Sequence, residues 1–330
     1  MKFPAIADLA LAALALTAVS HGANAADSST SLCGGQRYVL STVPHGASPY
    51  IRLTAKGVSG QFLLDYGSTG SSLTAKVFAS SHGLLGASDL SMPGFKGGRF
   101  ALQGPSFSSL PPGRLLGMIG TDLLSQMSVQ FTHGSVFLSN EVCPVDKLRA
   151  LGFAPINQHG FFSSEKSAID PSHANVPIVY VSIGDVRVFA QFDTGYDDLR
   201  YLHTIDINQS LFDRLIASGA ELEQIDETRF ETCKGSENRK VYRMNNRNAV
   251  IENERAEPIV AMRDVFLSLK QTNGCGGIAA SSVPAAQLAA SFLDSFGTII
   301  FDGKFETVWV GGDKHAQPSA QTSSGSSAIR

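Results

Sequence analysis

Apolar residues along the chain alternate with polar ones in short runs broken by glycine-bearing turns, the period-two pattern of half-buried strands. Two of these stretches match without a gap, PYIRLTAKGVSGQFLLD at 49–65 and PIVYVSIGDVRVFAQFD at 177–193. Each opens on alternating apolar residues (Ile51 and Leu53; Val179 and Val181), turns at Gly57 or Gly184, and climbs through a second apolar strand to an aspartate. The repeat predicts one hairpin made twice. Downstream, VQFTHGSVFLS at 129–139 parallels IIFDGKFETVWVG at 299–311 as a closing hairpin with a glycine-containing turn. Helical segments are expected ahead of both, at 122–127 in the first copy and at 283–294 after a Ser282 cap in the second. A further helix at 210–217, ended near Gly219, reads as an insertion peculiar to the second copy.

The same pattern divides the chain. Lys2, an apolar core at 9–19 and the small-x-small triplet Ala23-Asn24-Ala25 read as a secretory signal over 1–25, too short in its core for a membrane span. A first lobe follows at 26–145, then a linker at 146–175, a second lobe at 176–312, and a tail at 313–330 whose Ser, Gln and Ala have no apolar periodicity and predict disorder. The mature chain is expected to be periplasmic or secreted, without a membrane span.

Composition narrows the possible partners. A net charge of -3 and only 17% charged residues leave no basic surface for nucleic acid. The mixed-sign run at 239–255 is expected to coat a solvated face. The even count of four cysteines in an exported chain predicts two disulfides. Of three possible pairings, separate lobes favour Cys33 with Cys143 and Cys233 with Cys275. No Cys-x-x-Cys or His-Glu-x-x-His spacing supports a metal site, and no cofactor is expected. A serine hydrolase is not supported either, because Gly-x-Ser-x-Gly does not occur.

The candidate chemistry lies where the repeated strands end. Asp65 stands in LLDYGSTGSSL and Asp193 in AQFDTGYDD, each bordering an apolar strand and followed two residues later by a glycine, Gly67 or Gly195. A carboxylate at the edge of an apolar run is unfavourable unless it is hydrogen-bonded or neutral, and glycine lets backbone N–H groups approach it. Either turn alone is an ordinary strand end; in a duplicated fold the two meet on the pseudo-axis.

On these residues the chain resembles the pepsin and retropepsin class of aspartic peptidases, whose lobes each supply Asp-Thr/Ser-Gly and later a hydrophobic-hydrophobic-Gly element beneath the aspartate loop. In the first lobe Met118-Ile119-Gly120 fits that element; in the second, Gly276-Gly277-Ile278 is a loose counterpart. The resemblance implies a mainly β, bilobal acid-protease fold of two related barrel-like lobes with short helices. It implies a monomeric exported endopeptidase acting on polypeptides, with Asp65 and Asp193 sharing a proton and activating water. Tyr66, Gly67, Ser68, Thr194, Gly195 and Gly120 would support the two loops, Ser68 by holding Asp65, and Phe95 and Phe100 are the aromatic candidates for a mobile flap. A pepsin-type pro-segment is not expected, since Asp65 follows the proposed cleavage site by only about 40 residues. The chain departs from the family at Tyr66 and Tyr196, where a Thr or Ser hydroxyl is usual. Tyr66→Thr is accordingly expected to preserve or raise activity. The alternative reading is a pepsin-like fold without peptidase activity that serves as a binding or inhibitory module.

Overall fold

The computed structural model describes residues 31–42, 46–55, 58–74, 85–86, 99–103, 115–156, 176–198, 200–201, 203–232, 235–245, 248–253, 255–270 and 277–311. The expected signal and tail, Phe95, Cys233 and Cys275 lie outside these residues, as do 75–84, where a first-copy counterpart of the inserted helix would fall.

The chain is mainly β. The first half contributes β1 (Gln36–Val39), β2 (Tyr50–Ala55), β3 (Val58–Leu64), β4 (Ser72–Thr74), β5 (Leu85–Gly86), β6 (Arg99–Gln103) and β7 (Leu115–Ile119). Helix α1 (Thr121–Leu124), β8 (Ser128–Thr132), β9 (Ser135–Ser139), α2 (Val145–Ala150) and β10 (Ala154–Pro155) follow. The second half contains β11 (Ile178–Ile183), β12 (Val186–Phe192), β13 (Thr204–Ile207), α3 (Gln209–Ala217), β14 (Leu222–Thr232), β15 (Gly235–Met244), β16 (Ala249–Glu252), β17 (Pro258–Met262) and β18 (Phe266–Leu269). It ends with β19 (Ala285–Leu288), β20 (Thr298–Asp302) and β21 (Thr307–Gly311).

Duplication is visible in the strand order. One sheet runs β2-β3-β7-β4-β6-β5, and six strands of a larger sheet run β11-β12-β19-β13-β18-β15. Taken pair by pair, the senses agree: antiparallel, parallel, antiparallel, parallel, antiparallel. The second half extends this plan with β14 on one edge and β16-β17 on the other.

Neither sheet closes into a barrel among the described residues, contrary to the barrel-like lobes expected. The reason lies in the closing hairpins. Instead of sealing their own halves, β8-β9 and β20-β21 join in a third sheet of order β1-β9-β8-β20-β21-β10. Within it β8 and β20 pair antiparallel, Val129 with Phe301, Gln130 with Ile300 and Phe131 with Ile299. Equivalent residues of the two copies thus cross at Gln130 and Ile300, the mark of a local two-fold. A core running from Ile51 and Phe62 through Phe131 and Phe301 to Phe192 and Leu267 spans both halves beneath this sheet.

Three sequence expectations change here. The segment expected to be a helix at 283–294 is strand β19, followed by a short 3-10 turn at Ala290–Phe296. All four residues of β19 are buried between β12 and β13, so ladder hydrogen bonds and packing override the helical propensity of its alanines. The expected helix at 122–127 is shorter, Thr121–Leu124, while α3 holds nearly as expected with Asn208 accepting from Leu211 N as its cap. The expected linker is structured at its start. Helix α2 buries Leu148, and Phe153 and Ile156 are buried beyond it, while β10 pairs with β21.

Cys33 and Cys143 form a disulfide within the first half, as expected. They sit in a small cluster with Leu32, Leu148, Phe153, Ile300 and Trp309 that ties the start of the chain to the shared sheet. The bridge spans 110 residues, so the chain-entropy model gives it about 4–5 kcal/mol. A Cys33→Ser, Cys143→Ser variant should therefore unfold at a clearly lower urea concentration. An unchanged midpoint would show that β1-β9 pairing holds this segment unaided. Among the described residues no helix is long and apolar enough to cross a membrane.

Candidate functional site

The two aspartates stand where the duplicated topology puts them, at the ends of β3 and β12. Each is fixed by the same set of contacts. Asp65 N donates to Ile119 O at the end of β7, and Asp193 N to Leu288 O at the end of β19, both at 2.9 Å. Gly67 N donates to Asp65 Oδ1 at 2.8 Å, and Gly195 N to Asp193 Oδ1 at 3.0 Å. Thr121 N donates to Ser68 O, and Ala290 N to Tyr196 O.

These matched turns face one another, so that the carboxyl of each aspartate lies against the glycine of the opposite turn. The requirement for glycine is reciprocal. A Cβ at Gly67 would overlap the Asp193 carboxyl, and a Cβ at Gly195 would overlap that of Asp65. Burial first, then the charge of Asp193, holds the Asp65 carboxyl well above the usual carboxylate range. Asp193 is also raised by burial, but Lys270 opposes the rise while Asp206 adds to it.

The supporting residues behave unequally. Thr194 Oγ1 accepts from Tyr66 N at 2.9 Å and donates to Leu64 O at 2.7 Å, linking the loops across the two-fold. The reverse link is missing, because position 66 has no small hydroxyl. The Tyr66 ring turns away from the carboxylates, fully buried and stacked on Phe301 with centroids 4.2 Å apart. Its hydroxyl has no hydrogen-bond partner. Ser68 does not hold Asp65, as had been expected; its hydroxyl donates to Gly70 O at 3.0 Å. Gly120 lies against Ser68 O and Gly70 O too closely for any Cβ, and its N–H donates to Ser71 Oγ, which donates in turn to Asp122.

The second-half counterpart of Met118-Ile119-Gly120 is Gln287-Leu288-Ala289, since Leu288 pairs with Phe192 as Ile119 pairs with Leu64. Gly277-Ile278 is a 3-10 turn elsewhere, so the expected match there is replaced. For the flap, Phe100 lies in β6, opposite Leu85 of β5; Phe95 and the rest of that hairpin lie outside the described residues.

Several polar residues at the site were not singled out from the sequence. Asp197 Oδ2 accepts from Ala47 N and Ser48 N, pinning the entry to β2 against the second aspartate turn. Gln287 Nε2 donates to Asp193 Oδ2, and Lys270 Nζ donates to Gln287 Oε1 at 2.6 Å. Asp206 is buried beside Lys270 and accepts from Arg239 at 2.8 Å. Arg239 therefore faces inward, because the Asp206 and Glu237 carboxylates and the Phe230 ring hold it there, while Lys240, Arg243 and Arg255 of the same run are exposed as expected. The legible signal was an acid and a glutamine inside the apolar runs TIDI and AAQL.

Among the described residues no group of three or more His, Cys, Asp and Glu is placed to hold a metal ion. No protein-family model matches the chain, and no curated protein matches it significantly.

Proposed function

We propose that the protein is an exported aspartic endopeptidase with a pepsin-like two-lobed fold. The observation that carries this reading is the pair of facing Asp-x-Gly turns, in which each glycine packs on the opposite carboxyl and the charge of Asp193 helps to raise Asp65. Two adjacent buried carboxyls do not both ionise near neutrality, so the pair holds one proton and titrates as a unit. The ionised member takes a proton from a bound water. The protonated member donates to the peptide carbonyl oxygen as the water adds, giving a tetrahedral diol without a covalent enzyme intermediate, and proton transfer to the amide nitrogen completes cleavage. The substrate is a polypeptide, the working form is a monomer in the periplasm or outside the cell, and the Cys33–Cys143 bridge supports an oxidising compartment.

Tyr66 is compatible with activity, since its ring packs in the core rather than between the aspartates. Digestion of casein and of a peptide library from pH 3 to 7, with and without a pepstatin-type inhibitor, tests the proposal. Inhibitor-sensitive cleavage is the expected result. A folded protein that binds peptides and cleaves none would replace it with the binding or inhibitory module.

A further inference from the structure

The two halves differ at the row of residues that crosses each sheet one position before its aspartate strand ends. In the first half the row is Leu63, Met118, Ser72 and Ala101. In the second it is Gln191, Gln287, Asp206 and Ser268, polar throughout. The register position that holds glutamine in the second half thus holds methionine in the first. Met118 can donate nothing to Asp65; Gln287 donates to Asp193 Oδ2.

The orientation of that amide is imposed. Lys270 carries only donors, so Gln287 must present Oε1 to it and Nε2 to Asp193. Lys270 in turn lies 3.5 Å from Asp206, which Arg239 engages at 2.8 Å from β15, with Glu237 beside Arg239. Asp193 Oδ1 meanwhile accepts from the N–H groups of Gly195 and Tyr196. The charged and titratable groups facing Asp193 are therefore Asp65 across the two-fold, Lys270 at the end of β18 and Asp206 on β13. Asp65 has less support: the N–H groups of Gly67 and Gly195 face it, and among the described residues no cation bears on it as Lys270 does on Asp193.

We infer that Gln287, oriented by Lys270 and braced through Asp206 and Arg239, is a positioning residue that keeps Asp193 the ionised, water-activating member of the pair and leaves the shared proton on Asp65. The role of that asymmetry in cleavage rests on the peptidase reading; the asymmetry itself does not. The proton is placed by hydrogen bonds that exist before any substrate arrives.

Carbon-13 NMR of aspartate-labelled full-length protein tests this without substrate, the two signals being assigned through Asp65→Asn and Asp193→Asn. In the wild type the Asp193 carboxyl should ionise at the lower pH. Gln287→Met, which installs the first-half residue at nearly unchanged volume, should raise that lower apparent pKa by about 1 unit or more, because a hydrogen bond to the ionised form is lost. Lys270→Met keeps Gln287 but frees its amide to turn over, and should raise the same value. If both variants are folded and neither moves it, the inference is overturned and the row is packing alone; if Asp65 ionises first in the wild type, it is overturned outright. Peptide cleavage separates this result from the broader reading. Should the shift appear in a protein that cleaves nothing, the proton assignment stands and the peptidase falls. Should the wild type cleave, Gln287→Met should move the acid limb of its kcat/KM profile by the same amount with KM nearly constant.

Discussion

Asp65→Asn is expected to abolish peptide cleavage and to make the protein more stable at pH 7 than the wild type. The first effect follows from the shared proton: an amide cannot act as acid or base, and such groups account for roughly 10²–10⁴-fold in rate. The second follows from burial. Asp65 in the folded protein has its pKa raised well above the usual range by desolvation and by Asp193, so the fold holds a proton that the unfolded chain releases above about pH 4. Native stability therefore falls as pH rises from about 4 through the raised folded value, and an uncharged Asn escapes that fall. Below about pH 4 the two unfolding curves should converge. Asp193→Asn should be equally inactive but without the gain, because its new NH₂ group must face the Gln287 amide or the N–H groups of Gly195 and Tyr196. Urea unfolding of the three proteins between pH 3 and 8 decides the matter. Parallel pH curves for wild type and Asp65→Asn would remove the buried, protonated Asp65 from the account, and residual cleavage by either variant would remove the dyad.

At Tyr66 a large stability loss is expected, and it reverses the outcome read from sequence. The sequence shows only that Tyr66 stands where a small hydroxyl is usual, and not where its ring is buried. In the fold the ring is fully buried against Phe301, which itself packs edge-on to Phe131 and Phe192. Tyr66→Thr should cost about 3–5 kcal/mol through lost burial and the cavity left behind. That is a large part of the 5–15 kcal/mol typical of a domain, so measured activity should fall with the folded fraction. Tyr66→Phe keeps the ring and removes only a hydroxyl without a partner, near the Asp302 carboxyl; it should be neutral or stabilising and fully active. Thermal unfolding monitored alongside cleavage separates these cases. Equal melting temperatures for the Thr and Phe variants would mean that the ring contributes little.

What could be read from the sequence is what repeats. The hairpins ending at Asp65 and Asp193 and the closing hairpins each leave a period-two pattern twice, and the cysteines within the first half fall together as the lobe division implies. What could not be read depends on strands meeting across the sheet. Ala285–Leu288 has the composition of a helix and becomes a strand because β12 and β13 flank it with unpaired backbone groups. The Gln287 contact is invisible for the same reason, as its partners Asp193 and Lys270 are brought to it only by that strand. Arg239 sits in a charged run and turns inward to a carboxylate more than 30 residues earlier, at Asp206. Local pattern locates the aspartates; only the register shows what surrounds each one.

The shared sheet also orders the events of assembly. Strand β8 meets β9 as soon as residues 128–139 are made, but its other edge waits for β20, where Ser128 and Asp302 are 174 residues apart in the chain. Until then the first half carries an open row of N–H and C=O groups, the most adhesive surface a β protein can present. A chain synthesised from its N-terminus must keep that strip from other chains for the time needed to deliver its last strands. Docking of β20 and β21 is then the slow, crowding-sensitive step, and a chain cut short of Thr298 is left as material for aggregation rather than as a smaller working protein.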